Sequence, residues 1–123
     1  DDRGSAGPLG TGMSESSGVF TFPSTGYWLV TFYAVCAGTH CDWVNCLIDA
    51  TLNNSAYNNV AMGRDSCKDA DSYSDVSAQA LMDVTSTTNV KMKFQVKAHN
   101  ALDWYGSTQV SETNVVFLKL GAT

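Results

Sequence analysis

At 123 residues the chain has the size of one domain, and with 44% hydrophobic and 15% charged residues it carries enough apolar material for a core, which excludes wholesale disorder. A formal net charge of −5 repels phosphate backbones, so nucleic acid and anionic membranes are poor partners. No apolar run approaches the roughly 18–20 residues of a membrane span, and the scarcity of Glu beside abundant Asp, Ser, Thr, Asn and Val suits strands joined by polar turns.

Residues 1–17 are rich in Gly, Ser and Thr, with Leu9 and Met13 as large apolar groups, and read as an irregular or weakly paired arm ahead of a domain spanning 18–123. The chain opens Asp1-Asp2-Arg3 without a Met, which reads as a processed or excised piece. Val19 to Phe22 is a short strand stopped by Pro23, and 24–26 is a turn. Tyr27 to Ala37 is a long strand dense in aromatic and β-branched residues, broken at Gly38-Thr39-His40. Trp43 to Leu52 follows, with Val44, Cys46, Ile48, Ala50 and Leu52 on one face. Asn53-Asn54-Ser55 is a turn that also fits the N-glycosylation pattern. Tyr57 to Gly63 is a further strand, and 64–75 is expected as a polar loop.

Val76 to Val84 alternates. Asn89 to His99 alternates most cleanly, with Val90, Met92, Phe94, Val96 and Ala98 inward and Lys91, Lys93 and Lys97 on a solvated face. Residues 100–113 are a long loop, and Asn114 to Leu120 is the last strand. About eight short strands at these spacings, with no helical period, predict an all-β antiparallel sandwich.

Strand 27–37 breaks the alternation. Trp28, Val30, Phe32, Ala34 and Cys36 lie on one side, and Tyr27, Leu29, Thr31, Tyr33 and Val35 on the other. In strand 114–120, Val116, Leu118 and Leu120 oppose Val115 and Phe117. A strand of an antiparallel sandwich normally shows water one face. Apolar residues on both faces therefore imply a second buried surface, either under a long loop or at a subunit interface. The interface is the preferred reading, with Tyr27, Leu29, Tyr33, Val35, Val115 and Phe117 as its candidate residues.

The block Gly18 to Phe32, with Phe20, Gly26, Trp28, Val30 and Phe32 at the pattern's positions, resembles the signature of the C1q globular heads, within the C1q/tumour-necrosis-factor jelly rolls. The resemblance implies a ten-stranded jelly roll that is trimeric about a three-fold axis, extracellular, and seated at the tip of a stalk or fibre. It implies recognition rather than chemistry. Two features depart from the family pattern. Residues 1–17 do not supply its first strand, and Asn114 to Leu120 lacks the glycine of its final strand.

Four cysteines, Cys36, Cys41, Cys46 and Cys67, in a small loop-rich chain suggest two disulfides and an oxidising compartment. A zinc site would draw on these cysteines and His40 but lacks any C-x-x-C pair. Some C1q-like heads link neighbouring strand regions, which suggests Cys46–Cys67 with Cys36–Cys41; Cys36–Cys46 with Cys41–Cys67 is the alternative.

Catalytic groups are thin. The chain has two histidines, His40 and His99, and two glutamates, Glu15 and Glu112. It has no Gly-x-Ser-x-Gly elbow, His-Glu-x-x-His helix or phosphate-cradling loop, so it reads as no enzyme. Asp65, Asp69, Asp71 and Asp75 are a weak calcium candidate. They lack the spacing and the terminal Glu of the helix-flanked calcium loop, and a solvated acidic loop is preferred; no cofactor is otherwise expected. Trp104, Tyr105, Asp103, Trp43 and His40 sit in loops or at strand edges, where exposed rings stack on sugars or apolar groups. They are the candidate ligand-binding residues, in loops near 38–43, 64–75 and 100–112. The functional expectation is a homotrimeric recognition or adhesion head, secreted or surface-displayed, that meets a protein or glycan target. The alternative is a purely structural trimerisation domain of a fibre or virion component.

Overall fold

The computed structural model describes residues 10–107 and 109–123. They form nine antiparallel strands and no helix: β1 (Ser14–Ser16), β2 (Val19–Thr21), β3 (Gly26–Ala37), β4 (Cys41–Thr51), β5 (Asn58–Cys67), β6 (Tyr73–Val84), β7 (Lys91–Ala98), β8 (Asp103–Tyr105) and β9 (Asn114–Gly121). One sheet runs β1-β2-β7-β4-β5. The other is built on β3, which pairs β6 along its whole length on one edge. Its other edge is shared end to end by β9, opposite Tyr27–Tyr33, and β8, opposite Val35–Ala37. The two sheets pack face to face as a sandwich, as the strand pattern predicts, with the jelly-roll order that the C1q-like resemblance implies.

The core fills from alternating positions. β3 supplies Trp28, Val30, Phe32, Ala34 and Cys36, β6 supplies Val76, Ala78, Ala80, Met82 and Val84, and β4 supplies Val44, Cys46, Ile48 and Ala50. At one flank Phe20, Phe22, Phe32, Phe94 and Phe117 meet in edge-to-face and tilted pairs 5.2–6.0 Å apart, the geometry that aromatic quadrupoles favour.

Two glycines are required by close approach. At Gly26 (φ 137°) a Cβ would strike the Gly121 carbonyl oxygen, and at Gly63 a Cβ would strike that of Ser77. Gly63 therefore lets β5 lie against β6, which closes that flank of the sandwich.

Several boundaries differ from the sequence expectation. The arm ends in structure: β1 pairs β2 through a tight turn at Ser17 and Gly18, both at positive φ (52° and 77°), the primed hairpin geometry. The rest of the arm, residues 1–9, lies outside the described residues. The expected loop 64–75 shrinks to 68–72, because Arg64, Asp65 and Cys67 pair with Asn45, Val44 and Cys41 of β4. This polar run can be a strand because β5 is a sheet edge, where charged side chains face water. The expected loop 100–113 contains β8, and Leu52 lies beyond β4, exposed.

Candidate functional site

Two surfaces stand out, the open face of the β3 sheet and the loop end of the sandwich. On the open face, register sets the rows. Leu29 has Leu81 on one side and Leu118 on the other. This three-leucine row is flanked by Tyr27, Val116 and Leu120. Leu81, Leu118, Val116 and Leu120 are each more than half exposed, an apolar concentration unusual for a solvated sheet.

Towards the loop end the face becomes polar. The Tyr33 hydroxyl donates to Asp75 Oδ2 at 2.7 Å, and this hydrogen bond is the main reason that the Tyr33 phenol titrates above its usual range. Val35 lies between Asp75 and Tyr105, and the Tyr105 ring meets Tyr73 at 5.6 Å. Of the six residues expected on this face, Tyr27, Leu29, Tyr33 and Val35 lie there. Val115 and Phe117 require correction. They point inward and pack on the core, with Phe117 among Phe20, Phe22 and Phe94. Val116, Leu118 and Leu120 take the open face instead.

At the loop end the chain's two histidines share one carboxylate. His40 Nε2 lies 3.0 Å from Asp42 Oδ1, and His99 Nδ1 lies 3.2 Å from Asp42 Oδ2. His40 Nδ1 donates to the Lys68 carbonyl at 2.7 Å. That carbonyl first, then Asp42, favours the imidazolium and raises the His40 pKa above 6.5. The Trp43 ring stacks on His99 at 6.2 Å and is 41% exposed. His99 N donates to the Trp43 carbonyl, and Asn100 Nδ2 to that of His40. The result is one patch of ring and charge drawn from three chain segments.

The five ligand-binding candidates therefore divide. His40 and Trp43 join this patch. Trp104 pairs with Cys36 in the β3 sheet and packs partly against the core. Tyr105 turns to Tyr73, and Asp103 lies against Gly38. The sequence pattern alone does not single out Asp42 and His99 for binding. Only the β4–β7 register, which opposes Val44 to Ala98, carries His99 beside Trp43.

The four aspartates do not share a loop, which corrects the expectation that grouped them. Asp65 lies in β5, Asp75 lies in β6 and is held by Tyr33, and Asp69 and Asp71 remain in the loop. Among the described residues no three His, Cys, Asp or Glu side chains are grouped to hold a metal ion.

The cysteines are free thiols here, all four buried. The expected Cys46–Cys67 pairing is corrected by register. Cys46 faces Gly63, four positions from Cys67, or about 13 Å along the strand.

No protein-family model matches the sequence, and no curated protein matches it. Solved structures do match, and the fold they share is the tumour-necrosis-factor-like jelly roll, the class that the C1q-like signature pointed to. Among them is murine APRIL. Its pH 5.0 crystal structure superposes with a TM-score of 0.70 at 12% identity, covering 91% of this chain and 80% of that one. Its pH 8.0 structure gives 0.64 at 10% identity, covering 91% and 77%. No helix of the described residues is long and apolar enough to cross a membrane.

Proposed function

We propose that the chain is a non-enzymatic, extracellular recognition head that closes into a homotrimer through the open face of the β3 sheet and presents its loop end to a protein or glycan target. The observation that carries this reading is the Leu81–Leu29–Leu118 row with Tyr27, Val116 and Leu120 around it. Leaving such a patch in water forgoes roughly 25 cal/mol for each Å² that burial would remove. Closed symmetry covers the patch on every subunit at once. The C1q-like signature at Gly18 to Phe32 favours three-fold closure.

Assembly through that face leaves the His40–Asp42–Trp43–His99 patch free at one end of the sandwich. Its exposed indole supplies area for stacking on a sugar ring or an apolar side chain, and its carboxylate and imidazoles supply directional hydrogen bonds. Repetition of the patch on each subunit raises avidity for a multivalent surface.

The test uses an array of glycans and cell-surface proteins probed with the intact oligomer. Trp43→Ala should keep the oligomer and lose binding. Leu118→Asp should lose both. Binding to nothing by an intact trimer would favour the purely structural trimerisation domain.

A further inference from the structure

Three of the four cysteines meet at the loop end, beneath the histidine patch. Cys41 opens β4, Cys67 closes β5, and the two are direct cross-strand partners. Opposed residues of antiparallel strands send their side chains to one face, with Cα atoms about 4.5–5.5 Å apart. That separation falls within the roughly 4.4–6.8 Å which a disulfide spans. Both side chains point inward and are fully buried.

Their present contacts are weak. Cys41 Sγ donates to the Asn100 carbonyl at 3.3 Å, and Cys67 Sγ to that of Ser72 at 3.4 Å. A thiol is a poor donor, so little is lost when these protons leave. The other two cysteines are placed differently. Cys36 belongs to the facing sheet, has no cysteine as a cross-strand partner, and its thiol donates to the Ser74 carbonyl at 3.6 Å. Burial first, then the neighbouring Cys67 and Cys41 sulfurs, push its thiol up to about 11, which keeps it protonated and slow to attack. Cys46 has Gly63 and Val96 as its cross-strand partners.

We infer that Cys41 and Cys67 are the site of a single cross-strand disulfide, with Cys36 and Cys46 remaining thiols. The oxidant is a disulfide such as oxidised glutathione. One protein thiolate attacks it, forming a mixed disulfide and expelling one glutathione thiolate. The second protein thiolate then attacks the mixed disulfide and expels the other. Two protein thiols are oxidised and one glutathione disulfide is reduced. The two protons released pass to the two departing thiolates.

The bond would tie the start of β4, next to His40, Asp42 and Trp43, to the segment whose Lys68 carbonyl holds His40. It would therefore fix the geometry of the patch. The inference starts from strand register and does not depend on trimer formation or target binding.

The test refolds the reduced protein in oxidised and reduced glutathione, so that the thiols meet the oxidant before they are buried, alkylates it in denaturant without reductant, and locates bonds by peptide fragmentation. The expected result is a Cys41–Cys67 link with Cys36 and Cys46 alkylated. Cys36→Ser should retain the link. Dithiothreitol should lower the Tm of the oxidised wild type and leave that of Cys41→Ser unchanged. Four alkylated cysteines after oxidation, or a link through Cys36 or Cys46, would overturn the assignment.

Discussion

His40, held by the Lys68 carbonyl and by Asp42, makes the loop end sensitive to pH. The folded-state pKa of His40 is raised above its usual 6.5 by the Lys68 carbonyl and by Asp42. A raised value means that the protonated form binds the folded state better. The stability it contributes is fully present below pH 6.5 and is lost as pH rises through the folded pKa. An NMR titration should therefore place the His40 midpoint above 6.5. Asp42→Asn should bring it down only in part, because the Lys68 carbonyl remains. A midpoint at or below the usual value would contradict the contacts described. At Gly63 the Ser77 carbonyl oxygen occupies the place a Cβ would take. Gly63→Ala should thus cost about 1–3 kcal/mol in urea denaturation, whereas Gly106→Ala, whose Cβ would meet nothing within 4 Å, should be near neutral.

At the scale of elements, the two strands apolar on both faces show how far periodicity reaches. Alternation sorts β9 into two sets, Val115 and Phe117 against Val116, Leu118 and Leu120, but it carries no sign that says which set faces the core. The sign comes from β3, whose pairing turns Phe117 into the aromatic cluster and leaves Leu118 beside Leu29. The variants separate accordingly. Phe117→Ala should lower stability by about 3 kcal/mol, the low end for a large ring removed from a packed site, and leave the mode of assembly unchanged. Leu118→Ser should barely alter the stability of the isolated subunit while weakening assembly. Urea denaturation and size-exclusion chromatography, read together, distinguish the two. β5 beyond Gly63 escapes the sequence pattern for a different reason. Asp65 and Ser66 look like loop, yet an edge strand needs only backbone partners, and β4 provides them. The short β8 was hidden likewise, since its three residues pair only with the end of β3.

For the molecule as a whole, the sandwich was legible because its central strands carry their own signal. The block from Phe20 to Phe32 marks β2 and β3, and the strict alternation of 90–98 marks β7. What stayed hidden was everything set by pairing between distant strands: His99 beside Trp43, Cys41 opposite Cys67, and the division of the four aspartates. These depend on register, which a single strand does not encode. The open face was foreseen as a surface but with two of its residues reversed. Its corrected composition sharpens the assembly claim, because Leu29, Leu81 and Leu118 form a continuous row across three strands. A charge there would be desolvated without a partner on closure, at a cost of several kcal/mol. Lys97→Asp, on the wet face of the other sheet, should leave assembly intact. Sedimentation equilibrium at micromolar concentration tests this most directly. A trimer closed through this row gives three chain masses for the wild type and for Lys97→Asp, and one for Leu118→Asp. A wild type that sediments as a monodisperse monomer would contradict it.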